Sequence, residues 1–284
     1  MAMFFYEFMQ RAFAAATLIG VMAPILGVLL ILRRQSLLAD TLSHVSLVGV
    51  ALGLLVGVDP TWTTLLVVVL AALLIEGIAS LFKGYTEVSI AILMAGGLAL
   101  ALFMMSFQSG QTTVSINQFL FGSIVAISEN QLWVLLVLTV VVVSAYVLFR
   151  RPLFVLIFDP DTAHTAGLPV KLMSTIFTVI TGAVISVMLP IAGALLVSAI
   201  IVLPSALALR VSKTFTTVFI VGIITSLVGM YIGLIGSYQL GTPPGATITL
   251  TLVALFSLTV LIQAIKKRLR KKDIVTDKTS FLEK

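Results

Sequence analysis

Two side chains able to hold a divalent metal stand four residues apart in a segment otherwise suited to lipid. Asp40 and His44 lie in the run Ser36 to Val50, with Ser43 between them. On a helix, a spacing of four puts both on one face, a turn apart. A carboxylate and a neutral imidazole together suit a borderline divalent ion such as Zn, whereas an all-oxygen set would suit Mg or Ca. Two ligands leave the coordination sphere open. That is what a conduit needs, because a site that encloses its ion cannot release it, and a homodimer would supply the pair twice around an axis. Two plainer readings compete. Asp40 is six residues beyond Arg34 and could form an interfacial ion pair with it, and His44 could be a neutral histidine bonded to a neighbouring helix.

Other chemistry is sparse. Glu76 lies within an apolar run and Glu87 at the end of one. A charge at mid-membrane costs about 2.5–3.5 kcal/mol on insertion scales, so such a group faces a cavity or a partner. Glu76, seven residues before Lys83, reads as a snorkelling or paired group near one membrane face. His164 reads as a surface histidine. Ser43 and His44 are adjacent, so on a helix they point about 100° apart, which places His44 badly as a base for a serine nucleophile. There is no Gly-x-x-x-x-Gly-Lys-Ser/Thr loop, and Lys83-Gly84 and Ser212-Lys213-Thr214 lack the glycine frame that cradles phosphates, so the chain does not hydrolyse ATP by itself. With no cysteine, thiolate zinc, disulfides and iron–sulfur clusters are excluded.

The elements that must position the pair are membrane helices. Of 284 residues, 60% are hydrophobic and 10% charged, with a mean hydropathy of +1.21; soluble domains carry about 25% charged residues. Apolar runs long enough for a hydrocarbon core of about 30 Å fall at 11–32, 37–58, 62–82, 87–107, 131–149, 172–190, 191–210, 214–236 and 245–265. The expectation is an all-α polytopic membrane protein with nine spans, within a range of eight to ten. The stretch Gln108 to Asn130 mixes polar and aromatic residues and reads as an interfacial or half-membrane helix. The start of the chain has Arg11 before an apolar run, but the run continues to Leu32 and no polar mature domain follows, so it reads as a retained first span.

The net charge of +6 lies in short clusters between spans, a pattern that sets orientation and does not bind nucleic acid. Nine crossings with a cytoplasmic C-terminus place Arg33-Arg34, Lys83, Arg150-Arg151, Lys171, Arg210, Lys213 and the 266–272 cluster inside, leaving only Arg11 outside. Residues 1–265 then form one transmembrane domain. Residues 266–284 form a basic cytoplasmic tail that anchors to anionic lipid, its last dozen residues polar enough to be disordered.

Between Arg151 and Lys171 lies the one substantial cytoplasmic loop, Pro152 to Pro169. Asp159 before Pro160 is an N-cap with proline at the first helical position, and Gly167 then Pro169 is a stop signal, so a short helix of about two turns is predicted. It is either a connector or a lever that docks in another protein. Pro204 in the seventh span removes a helical hydrogen bond, and Ser198 and Ser205 can satisfy freed carbonyls, which predicts a kinked or broken helix. The small residues around it suit close helix packing equally well.

Three motifs in order carry a resemblance. Arg33 to Gly53, with its Asp40-x-x-Ser43-His44 core and small-residue continuation, resembles the signature of permease subunits of zinc and manganese ABC importers. Phe158-Asp159-Pro160-Asp161-Thr162-Ala163-x-x-x-Gly167-Leu168 resembles that family's cytoplasmic coupling segment, and Gly193 to Ala206 resembles its late helix. The resemblance runs from Phe8 to about Ile265. It implies a vitamin B12-importer-like, type II ABC importer permease fold in a prokaryotic cell membrane. It also implies a homodimer, cytoplasmic ATP-binding subunits gripping Asp159, Pro160, Asp161, Ala163, Ala166 and Gly167, and an extracytoplasmic protein that delivers the metal. Asp40 and His44 match the family's pathway ligands. Manganese-type members commonly read Ser-His-Ala with Pro-Gly a few residues later; Val45 and Val48-Gly49 stand here instead, which is closer to the zinc-uptake branch.

The resulting expectation is a transport subunit with no cofactor of its own and Zn, or alternatively Mn or Fe, as cargo. A self-sufficient secondary cation transporter using Asp40 and Glu76 as a relay is the other class; such folds often show inverted repeats, and none is evident.

Overall fold

The computed structural model describes residues 6–81, 86–107 and 122–282. The described elements are α1 (Glu7–Leu32), α2 (Leu38–Val56), α3 (Pro60–Leu81), α4 (Thr86–Ser106), a 3-10 turn (Ile124–Ala126), α5 (Glu129–Phe158), α6 (Pro160–Thr165), α7 (Val170–Ala192), α8 (Ala194–Val211), α9 (Phe215–Leu240) and α10 (Pro244–Leu282). No strand occurs among the described residues. Nine of these helices are long and apolar enough to cross a membrane, all except α6, in agreement with the nine runs read from the sequence.

In lipid there is little hydrophobic drive between helices, so close packing depends on small residues. The central helix α1 shows this: Ala12, Ala16, Gly20, Ala23 and Gly27 recur at spacings of three and four and are all buried. It is surrounded by α5, α8 and α9. At Gly27 the backbones of α1 and α8 approach so closely that a Cβ would lie 1.8 Å from the Ile201 carbonyl oxygen. On the other side α2 packs on α3, α4, α7 and α8, while α10 covers α8 and α9.

Four expectations change. The break expected at Pro204 does not occur: α8 runs continuously from Ala194 to Val211 with Pro204 inside it. Ser205 donates to the Ile201 carbonyl (2.8 Å) and across to the Pro24 carbonyl of α1 (3.2 Å). The second bond and tight packing join α8 at its proline to a second proline-bearing helix. The second change concerns α5, which passes through Arg150-Arg151 and Pro152 to Phe158, so much of the stretch read as a loop is helix. Its end is held by aromatic packing on α9, with Phe154 5.2 Å from Phe215 and Phe215 5.0 Å from Phe219. The short helix predicted over 159–167 is six residues, Pro160–Thr165. Finally, α10 continues through the basic tail to Leu282; lysine and arginine, good helix formers, favour this over 266–272. Of the stretch Gln108 to Asn130, residues 108–121 lie outside the described residues. The 3-10 turn beyond them is tied to α7 by Ser123 N–H donating to the Ile191 carbonyl (3.0 Å).

Candidate metal site

The candidate pair, Asp40 and His44, is placed by a tight joint between α1 and α2. Arg33 caps α1, Gln35 N–H returns to the Leu30 carbonyl (2.8 Å), and Leu38 N–H donates to the Gln35 carbonyl (2.9 Å) to start α2. Arg34 takes the left-handed conformation at φ 57° to make this reversal. Asp40 therefore sits in the first turn of α2, where a carboxylate is favoured by the helix dipole, and His44 stands one turn on.

From Leu38 to Ala51 every residue of α2 is buried except these two. Their side chains are 40% (Asp40) and 25% (His44) exposed, with His44 Nε2 3.8 Å from Asp40 Oδ1. That separation is too long for a hydrogen bond. Zinc donors at about 2.0–2.2 Å in tetrahedral geometry stand about 3.4 Å apart, so a few tenths of an ångström of side-chain rotation would let both grip one ion. The plainer readings fare badly. Asp40 has the His44 ring, not Arg34, as its ion-pairing neighbour among the described residues. His44 Nδ1 is buried without a hydrogen-bond partner there, so the ring is not tied to a neighbouring helix.

The nearby hydroxyls serve the helices. Ser43 donates to the Ala39 carbonyl (2.9 Å), Ser46 to the Leu42 carbonyl (2.7 Å) and Thr41 to the Ile90 carbonyl of α4 (3.4 Å). No group of three or more His, Cys, Asp or Glu gathers among the described residues. Asp40 and His44 are thus the candidate donors, as a pair.

Glu76 lies elsewhere. Its Oε1 accepts from Ser174 (2.8 Å) and Thr178 (2.7 Å), both on α7, and Arg33 donates to the same Ser174 hydroxyl. Lys83, the partner expected from the sequence, lies outside the described residues. This network joins residues 98 and 141 positions apart. The only sequence signal for it was an intramembrane glutamate facing hydroxyls spaced at i and i+4 on another span.

The second predicted cluster forms α6. Asp159 accepts from Thr162 N–H through Oδ1 (3.0 Å) and from the Thr162 hydroxyl through Oδ2 (2.5 Å). These bonds, the hydroxyl's first, hold its carboxyl below the usual carboxylate range. Pro160 and Asp161 occupy the first turn, Ala163 is fully buried, and Ala166 and Gly167 are exposed just past the helix. Gly167 at φ +76° ends the turn, with Leu168 N–H reaching the Ala163 carbonyl (3.1 Å). His164 falls within α6.

Comparison with known proteins bears on this arrangement. The model of the ABC 3 transport family matches residues 5–263. A "Probable metal transport system membrane protein" of Treponema pallidum (strain Nichols) is 31% identical over 255 residues, which is 90% of this chain and 95% of that protein. The manganese transport system membrane protein MntC of Halalkalibacterium halodurans is 29% identical, with 89% of this chain and 86% of the relative covered. Among solved structures, PsaBC from Streptococcus pneumoniae in complex with Fab superposes with a TM-score of 0.79 at 24% identity, covering 91% of this chain and 92% of that one.

Proposed function

The chain belongs to the ABC 3 transport family and is a multi-pass permease of a metal importer with a type II importer fold, not itself an enzyme; from that premise we propose that its cargo is zinc and that Asp40 and His44 are the transient ligands on the path. The observation that carries this is the stretch Leu38 to Ala51 of α2, otherwise buried, whose two accessible side chains are a carboxylate and an imidazole. In a membrane protein an exposed face meets lipid, and neither group is tolerated there. The pair therefore faces a second copy of the chain or a water-filled cavity between copies, and a homodimer brings four donors together. Imidazole favours zinc over manganese, and Val45 with Val48-Gly49 supports the same branch.

The basic clusters support a cytoplasmic C-terminus and a cytoplasmic α6. There α6, buried at Ala163 and exposed at Thr162, Thr165 and Ala166, is the part a cytoplasmic ATP-binding subunit grips at Asp159 to Gly167, and an extracytoplasmic metal-binding protein delivers the ion. Manganese is the second reading, favoured by relatives named as manganese transporters. Uptake of radiolabelled zinc into vesicles, challenged by excess manganese or iron, separates them. Zinc uptake that resists excess manganese supports the proposal; manganese uptake that resists excess zinc overturns the choice of metal.

A further inference from the structure

Apart from the candidate ligand pair, a polar cluster of Arg33, Glu76, Ser174 and Thr178 ties together two joints of the fold, with Arg33 Nη1 buried and without a hydrogen-bond partner among the described residues. Ser174 on α7 accepts from the Arg33 guanidinium and donates to the Glu76 carboxylate (2.8 Å), so one hydroxyl links opposite charges on three helices. Thr178 adds a second bond to Glu76 (2.7 Å), and Arg33 lies 4.9 Å from the centre of the Phe177 ring. Ser174 and Thr178 are buried.

A cleft of about 470 Å³ adjoins the cluster, lined by Glu76, Val170, Lys171, Ser174 and Thr175 among others. An entering cation would meet Lys171, and an anion would meet Glu76. The charges compensate each other, so the cluster is a tie between helices and not a ligand site.

Its position gives the tie a role. Ser174 is four residues beyond Val170, the start of α7. The link from α6 to α7 has no slack, because Leu168 N–H donates to the Ala163 carbonyl (3.1 Å) and Val170 N–H to the Leu168 carbonyl (2.8 Å). At the other end Arg33 opens the joint from which α2 departs, with Asp40 in its first turn. Glu76 belongs to α3, which packs on both α2 and α7.

We propose that Arg33, Ser174 and Glu76 are positioning residues that pass the movement of α6 to the Asp40–His44 pair and so make ion release depend on the state of the ATP-binding subunit. This rests on reading α6 as the lever and α2 as the ion-bearing helix. None of the three touches the ion.

The test uses the complete complex with its ATP-binding subunit in proteoliposomes, measuring ATP hydrolysis and radiolabelled zinc or manganese uptake side by side. In Ser174→Ala, hydrolysis stays within about twofold while ions moved per ATP fall about tenfold, and Ser174→Thr, which keeps the hydroxyl, restores most of the ratio. Glu76→Gln, which keeps the shape and an acceptor but strands the Arg33 charge, lowers the same ratio and carries the test if Ser174→Ala does not assemble. A normal ratio in Ser174→Ala or Glu76→Gln, or equal loss of hydrolysis and uptake without rescue by Ser174→Thr, overturns the tie while wild-type uptake stands. Wild-type vesicles with no ATP-driven uptake of either metal overturn the transport reading, and the tie with it.

Discussion

Replacing His44 by alanine removes one of the two proposed donors of each chain. A four-ligand zinc site in a small domain is worth about 10–16 kcal/mol, so an even share per ligand is about 2.5–4 kcal/mol, or a 10²–10³-fold weaker hold on the ion. The fold should tolerate the change. His44 is already partly open, makes no hydrogen bond that alanine would orphan among the described residues, and stands on a helix anchored by its buried neighbours. His44→Ala should therefore insert into the membrane and co-purify with its ATP-binding subunit at wild-type levels, while zinc uptake at subsaturating concentration falls by about two orders of magnitude. Uptake within about twofold of wild type across the zinc titration would refute the assignment, since no ligand worth a hundredfold could be dispensed with unnoticed.

Other consequences arise from particular contacts. At Gly27, where a Cβ would fall 1.8 Å from the Ile201 carbonyl oxygen and 2.4 Å from Ser205 Oγ, alanine must push α1 and α8 apart and break the Ser205–Pro24 bond; the cost, about 1–3 kcal/mol, should appear as a lower thermal midpoint in detergent. The cap on α6 sets a pH dependence. Folding lowers the pKa of Asp159, so its contribution is fully present above the unfolded carboxylate pKa of about 3.9 and is lost only as pH falls through the lower folded value. Association with the ATP-binding subunit should accordingly be flat between about pH 6 and 8 as far as this group is concerned. Asp159→Ala should weaken co-purification at every pH in that range, more than Asp159→Asn, which keeps one acceptor oxygen; equal behaviour of the two would show that the cap is not what orders α6.

The spans and the Asp40–His44 pair were legible because each depends on local rules. Lipid demands unbroken apolar runs of fixed length, and a spacing of four puts two side chains on one helical face. The aspartate–proline start of α6 was legible for the same reason. An equivalent device begins α3, where Asp59 precedes Pro60 and accepts from Thr61 N–H (2.8 Å), and it could have been read the same way. What escaped were effects settled between distant segments. The chain past Arg151 looked like a loop because two arginines and a proline usually mark a boundary, yet phenylalanines on α5 pack on Phe215 and the helix continues to Phe158. Pro204 looked like a break, but a carbonyl on α1 and a hydroxyl one residue along give the backbone something to hold. Glu76 looked like a companion of Lys83, close in sequence, and its partners are on α7.

The depth of the ligand pair connects these features. Asp40 stands in the first turn of α2, at the same end as Arg33, the C-terminal turns of α3 and the N-terminal turns of α7. With the orientation proposed from the basic clusters, that is the cytoplasmic end, so an ion arriving from outside crosses most of the membrane before it meets these two protein donors. A late site can control release more directly than entry. It is also the end where the proposed lever enters α7 and where the Arg33–Ser174–Glu76 cluster lies, so the proposed ligands and the groups proposed to sense the ATP-binding subunit lie within a few helical turns of each other. The polar pair that makes α2 unsuited to lipid thus lies where a short mechanical connection can act on it, and a site at the outer end would have needed that connection to run the length of the helix.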